Sequence, residues 1–251
     1  MLKIALKNLL AVAVIATSVN AFSAEVTVSA AASLTNAFKD IALNFEAEYP
    51  EHKVLLNFAG SGELLQQIAK GAPVDVFASA DQETMDKAQA QNLLNEASRK
   101  DFVRNTLVVI TPVSSTLELK TVEDLQQTAL QRLAISNPES VPVGRYSKQA
   151  LLDSNLWDAL ADKMINTQNV RQSLDYVARD EVDAGFVYAT DAAIMADKVK
   201  VQFTVPLKIV VSYPIAVTVE GSAKAVSQQF IDFVLNQQSQ TVLNTYGFSQ
   251  P

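Results

Sequence analysis

Cysteine is absent from the 251 residues, and histidine and tryptophan occur once each. Without cysteine there are no disulfides and no cysteine-linked lipid anchor, so the fold must rest on its apolar core. With only His52 beside it, that absence also removes the usual ligands of a zinc site. His52 lies in "YPEHKV", a polar turn before a strand, and reads as a solvated turn residue. Hydrolase signatures are missing as well. A nucleophile elbow needs Gly two residues before and two after its Ser, but around Ser61 in "FAGSGEL" those positions hold Ala59 and Glu63. No Ser-x-x-Lys opens a helix, and no Gly-Lys-Ser/Thr phosphate loop is present. Basic residues are outnumbered, 20 Lys and Arg against 27 Asp and Glu. That balance argues against a nucleic-acid surface, which needs clustered cations.

What the chain does have is apolar content, 49% of its residues, enough for one large domain or two modest ones. The opening "MLKIALKNLLAVAVIATSVNAFSA" sets Lys3 and Lys7 before an apolar run from Leu9 to Ala16 and ends in small residues. This is the layout of a signal peptide over residues 1–24, with cleavage after Ala21 or Ala24. The run is too short to span a bilayer, and no later one is longer. Losing two lysines and no acid takes the formal charge from −7 to −9. The expected product is soluble, acidic and periplasmic, and any anion it binds needs local recognition rather than steering by net charge.

Past the signal, short apolar strands alternate with helical periodicity: "EVTVSA", a helix over 35–48, "KVLLNFA", a helix over 62–70, and "VDVFASA". Ala37, Phe38, Ile41, Ala42 and Phe45 share one face of the first helix, and Leu64, Leu65, Ile68 and Ala69 one face of the second. A second series starts at "NTLVVITP". It runs through a helix opened by the capping pattern "TVED" at Thr121, "LAIS", helices over 144–154 and 170–179, and "AGFVY". "VQFTVPLKIVVSYPIAVTVE" reads as extended, and helices over 223–236 and 239–246 end the chain. A gapped echo links the series: "VDVFASADQETM" from Val74 and "VDAGFVYATDAAIM" from Val182 both run Val-Asp, strand, Asp, helix. The reading is two α/β lobes, each a mixed sheet flanked by helices: 25–105 with 214–251, and 106–213. Two hinge strands, 105–111 and 209–218, are expected to join them.

Four segments, "AASLTN", "AGSGEL", "VPVGRY" and "TQNVRQ", each give a small or turn-forming start to a helix, two in each unit. Such starts lie at the carboxyl ends of strands, where their free N–H groups can surround an anion. Here the chain resembles the periplasmic molybdate-binding proteins of ABC transporters, a family of two-lobed binding proteins. The resemblance rests on "AAASLTNAFKDIA", "GAPVDVFASAD", "NPESVPVGRYSKQAL", "NVRQSL", "AGFVYATDA" and the terminal "YGF", in the family's order and spacing across nearly the whole mature chain.

The resemblance implies that a tetrahedral oxyanion is held without water between the lobes. Ser33 and Ser61 would each give a hydroxyl and an N–H, Val143 and Val170 an N–H, and Tyr188 its phenol. The metal would be met only through the oxygens of molybdate, with no direct coordination. Molybdate, with tungstate beside it, would be cargo and not a cofactor. The partners implied are a membrane permease and ATPase, with the binding protein itself a monomer and not an enzyme. Another tetrahedral oxyanion such as sulfate, an exported α/β hydrolase and a structural envelope protein are the alternatives. Three positions depart from the family pattern, one of them Val143, which stands in place of a smaller residue and is expected to narrow the cavity while its N–H remains the donor. Glu63, one turn into its helix, is expected to point away from a dianion, and Arg145 either lies at the pocket rim or faces solvent.

Overall fold

The computed structural model describes residues 24–251; the expected signal peptide lies outside them, apart from its last residue. The first series gives β1 (Ala24–Ala31), α1 (Thr35–Glu48), β2 (His52–Ala59), α2 (Ser61–Ala69), β3 (Val76–Ala78), α3 (Gln82–Ala90) and β4 (Lys100–Asn105). The second gives β5 (Leu107–Pro112), β6 (Leu133–Ser136), α4 (Pro142–Asp153), β7 (Met164–Thr167), α5 (Val170–Ala178), β8 (Ala184–Tyr188), α6 (Ala189–Ile194) and β9 (Val199–Thr204). The chain then returns through β10 (Val211–Val217), α7 (Ala225–Leu235) and α8 (Gln237–Thr245).

These strands form two five-stranded sheets, ordered β2-β1-β3-β10-β4 and β7-β6-β8-β5-β9. Within each, three parallel strands are followed by two antiparallel ones: β1 is parallel to β2 and β3, β6 to β7 and β8, while β10 and β5 run against their neighbours. The two sheets thus repeat one topology, and the echoed stretches supply the third strand of each, β3 and β8. Their first acids do equivalent work. Asp75 accepts from the Thr27 N–H of β1 at 2.8 Å, and Asp183 from the Gln131 and Arg132 N–H groups ahead of β6 at 2.7 Å. Helices cover both faces, so β3 and β8 are buried along their whole length, as parallel central strands require. In the first lobe α1 and α7 meet through edge-on contacts of Phe230 with Phe38 and Phe45.

The chain passes between the sheets at Thr106 and again over 205–210. Extended structure does not run unbroken through "VQFTVPLKIVV": Pro206, with no N–H for a ladder, follows the end of β9 at Thr204. The expected lobe boundary before Pro214 falls inside β10, which pairs with β4 from Val211 onward. The capping pattern at Thr121 yields only a 3₁₀ turn, Val122–Gln126, although the box itself forms. Past Leu125, the residues Gln126, Gln127 and Thr128 offer a further turn nothing to bury, and one turn does not sustain itself. His52 opens β2 instead of sitting in a solvated turn, with its ring stacked on Phe45 at 6.1 Å.

Candidate functional site

The four helix starts converge where the carboxyl ends of β1, β2, β6 and β7 face one another across the two sheets. They enclose one small cavity between the lobes. Ser33, Ser61, Val143, Val170 and Tyr188 all line it, so the structure brings together the five residues that the resemblance implies for the oxyanion.

The donors follow from helix geometry, because first-turn N–H groups have no acceptor in their own helix. In α2 the first internal bond is Leu64 N to Gly60 O, and Gly62 N donates to Ser140 O at 2.9 Å, which leaves the Ser61 N–H free. In α4 the first residue is Pro142, without an N–H, and internal bonding begins with Arg145 N to Val141 O, leaving Val143 and Gly144. In α5 the Asn169 side chain caps the N–H groups of Arg171 and Gln172 at 3.0 and 3.1 Å, leaving that of Val170. Ser33 sits in a 3₁₀ turn, Ala32–Leu34, between β1 and α1.

Hydroxyls add to these. Ser61 Oγ accepts from Ala80 N at 3.1 Å, so its own proton is left for another acceptor. Ser33 Oγ lies 3.0 Å from Tyr213 Oη. Tyr188 is 1% exposed, and its Oη has no hydrogen-bond partner among the described residues. Burial, followed by the nearby Tyr213, Tyr146, Asp81 and Asp191, holds its pKa well above the usual phenol value. Tyr188 therefore stays a donor, which a buried phenol ordinarily satisfies. Tyr146 and Tyr213 flank its ring at 6.5 and 5.8 Å, edge-on, and burial raises both of their pKa values too.

Neither lobe can approach this closely without Gly62, since a Cβ there would come within 2.9 Å of Ser140 Cα in the opposite lobe. Two arginines also cross the cleft. Arg145 does not face solvent: its Nε and Nη2 both lie 2.7 Å from Asp81 Oδ2, and Nη2 donates to Thr84 Oγ1 at 2.6 Å. Arg171 pairs with Asp191 at 2.6 Å and reaches Asn36 Oδ1 at 2.8 Å and the Ser33 carbonyl at 3.4 Å. Each guanidinium is matched by a carboxylate, so donor dipoles rather than net charge characterise the cavity. Glu63 is exposed and does not line it. Sequence reasoning passed over Asn169, visible as an N-cap before "VRQ", and Tyr213, whose "VVSYPIAV" reads as an ordinary strand.

Among the described residues no helix is long and apolar enough to cross a membrane. The chain is 40% identical to the molybdate-binding protein ModA of Escherichia coli over 231 residues, covering 90% of this chain and 89% of that one. Its fold matches the Azotobacter vinelandii periplasmic molybdate-binding protein with a TM-score of 0.80 at 24% identity, covering 90% and 99% of the two chains. The sulfate-binding protein SubI of Mycobacterium tuberculosis has nearly the same fold, TM-score 0.79 at 14% identity over 90% and 87%, so the fold alone does not select an anion. The family profile of bacterial extracellular solute-binding proteins matches residues 26–249, and the chain belongs to that family.

Proposed function

We propose that this protein captures molybdate, and tungstate with it, in the cavity between its lobes and delivers the anion from the periplasm to the permease and ATPase of an ABC importer. The observation that carries the reading is the buried Tyr188 phenol, a donor without an acceptor among the described residues, in a cavity that the Ser33 and Ser61 hydroxyls also line. The 40% identity to a molybdate-binding protein supports the choice of anion. Ser33 and Ser61 supply hydroxyl and N–H donors, Val143 and Val170 supply N–H groups, and Tyr188 its O–H. No group needs to ionise, which suits a dianion whose oxygens have only lone pairs to offer.

The anion meets one lobe first, the chain pivots on its crossings at Thr106 and 205–210, and closure adds the second set of donors and expels water. The protein works as a monomer after losing residues 1–21 or 1–24, and the closed pair of lobes is what the permease reads. Molybdate and tungstate have longer metal–oxygen bonds than the sulfur–oxygen bonds of sulfate, so a fixed cage stretches its hydrogen bonds to sulfate.

Calorimetric titration of the dialysed mature protein against molybdate, tungstate, sulfate and phosphate tests this. One-to-one heat from the first two alone is expected. Heat from sulfate or phosphate alone keeps the cage and overturns the ligand; silence from all four, after checking for retained anion, overturns the reading.

A further inference from the structure

Behind Ser33 runs a chain of polar groups that capture as described does not use. Asn105, the last residue of β4, accepts from the Thr106 N–H through Oδ1 at 2.8 Å. A backbone N–H can only donate, so the amide orientation is fixed and Nδ2 faces the other way. Nδ2 donates to Thr190 Oγ1 of α6 at 2.8 Å and to Tyr213 Oη at 3.2 Å. Tyr213 is fully buried, and of its two hydrogen-bonding neighbours among the described residues the Asn105 amide offers only protons. The phenol proton therefore goes to the other neighbour, Ser33 Oγ, 3.0 Å away. Ser33 then has its own proton left to give, and it lines the cavity. Ser61 reaches the same state by another route, through the Ala80 N–H.

We infer that Tyr213 and Asn105 are positioning and specificity-determining residues: their relay locks the Ser33 hydroxyl as a donor, so the cavity takes only oxyanions that carry no proton. The inference rests on the oxyanion reading of the site. A serine free to rotate can donate to a bare oxygen or accept from a protonated one; a serine already accepting from a phenol is biased to donate. Hydrogen phosphate or hydrogen arsenate brings a proton that meets only donors, which costs it the desolvation of an unpaired group. Thr190 belongs to the second lobe and Asn105 to the edge of the first, beside the Thr106 crossing, so the relay is anchored where the lobes join.

The test is a double-mutant cycle on molybdate affinity by calorimetry, with Tyr213→Phe and Ser33→Ala separately and together. Phenylalanine keeps the ring packed between Tyr188, Phe102 and Phe248, so thermal unfolding should move little. With Ser33 in place, Tyr213→Phe is expected to weaken molybdate about tenfold, the loss of one buried hydrogen bond. Added to Ser33→Ala it should cost nothing further, since the relay has no end to act on. The ratio of molybdate to hydrogen phosphate affinity should also fall in Tyr213→Phe. Equal losses in both backgrounds mark a merely structural tyrosine and overturn the relay, as does unchanged affinity and selectivity. Should Tyr213→Phe unfold, Asn105→Ala runs through the same cycle with a smaller expected loss and the same deciding comparison. The wild-type titration separates the two ideas: if it binds sulfate instead of molybdate, the proposed ligand falls and the relay is judged by the same cycle on sulfate.

Discussion

Asp81 and Asp191 are the second acids of the two echoed stretches, and each takes an arginine from the first turn of a second-lobe helix, Arg145 of α4 and Arg171 of α5. The chemistry is the same, but the placement is not. Asp81 follows β3 of the first lobe, so its bond to Arg145 crosses the cleft. Asp191 follows β8 and shares a lobe with Arg171, which reaches the other lobe only through neutral acceptors, Asn36 Oδ1 and the Ser33 carbonyl. Separating the lobes breaks a charged pair on one side of the cavity and leaves a charged pair intact on the other. A repeated motif has thus become a strap in one copy and a support in the other.

The strap should show itself in ligand release. Arg145→Gln leaves Asp81, 4% exposed, without its cation while the cleft is closed, although Ser79 Oγ and Thr84 N still donate to it at 3.2 Å. Opening returns that carboxylate to water, so the variant favours opening. Removing one partner of a buried charged pair acts mainly on dissociation, and molybdate should leave about a hundredfold faster, with association nearly unchanged. Stopped-flow displacement measures both rates; a release rate within a factor of two of wild type would remove the strap from this picture.

Arg171→Gln makes the complementary break. Its cross-cleft contacts are neutral acceptors, so release should quicken only about tenfold. Its larger cost is to the fold, because Asp191 is wholly buried and Oδ2 already lacks a partner among the described residues. Loss of about 2 kcal/mol of stability is expected, less than for an ordinary buried pair because this carboxyl can take up a proton instead. Thermal unfolding with and without molybdate checks it: Arg171→Gln should lower both midpoints, the liganded one somewhat more, whereas Arg145→Gln should lower mainly the liganded one.

The two α/β series and the helix starts were legible in the sequence for physical reasons, whereas the individual cavity residues came from the family resemblance. The α1 face from Ala37 to Phe45 is strictly periodic, and the helix starts at Ser61, Pro142 and Val170 carry the small or capping residues that such starts need. Arg145 was not legible in the same way. Its position after Gly144 fixes its helix turn, but its partner Asp81 is 64 residues away and meets it only when two sheets face each other. Tyr213 and Asn105 were hidden for the same reason, being ordinary strand residues until β4 and β10 pair and bring them behind Ser33. Local chemistry is written locally, whereas contacts across a cleft depend on how two separately readable units are set against each other.

The support half of the comparison sharpens with pH, and here no change in ligand release is expected. Burial pushes the Asp191 carboxyl up from 3.8 to about 6, against the charge of Arg171 and the hydrogen bonds from Arg171 and the Tyr188 backbone, which pull it down. Below the ordinary value the group is protonated in the folded and the unfolded chain alike and makes no difference between them. As pH rises from about 4 to about 6, the unfolded chain gives up this proton while the folded one keeps it, so the group subtracts stability progressively. Above about 6 both forms are ionised and the deficit is constant. Asp191→Asn should remove that slope, so the midpoint of the variant minus that of wild type should climb between about pH 4 and 6 and level off beyond. Thermal unfolding at half-unit steps measures the difference, and parallel curves would mean that Asp191 is ionised throughout, with Arg171 holding it down more strongly than burial pushes it up.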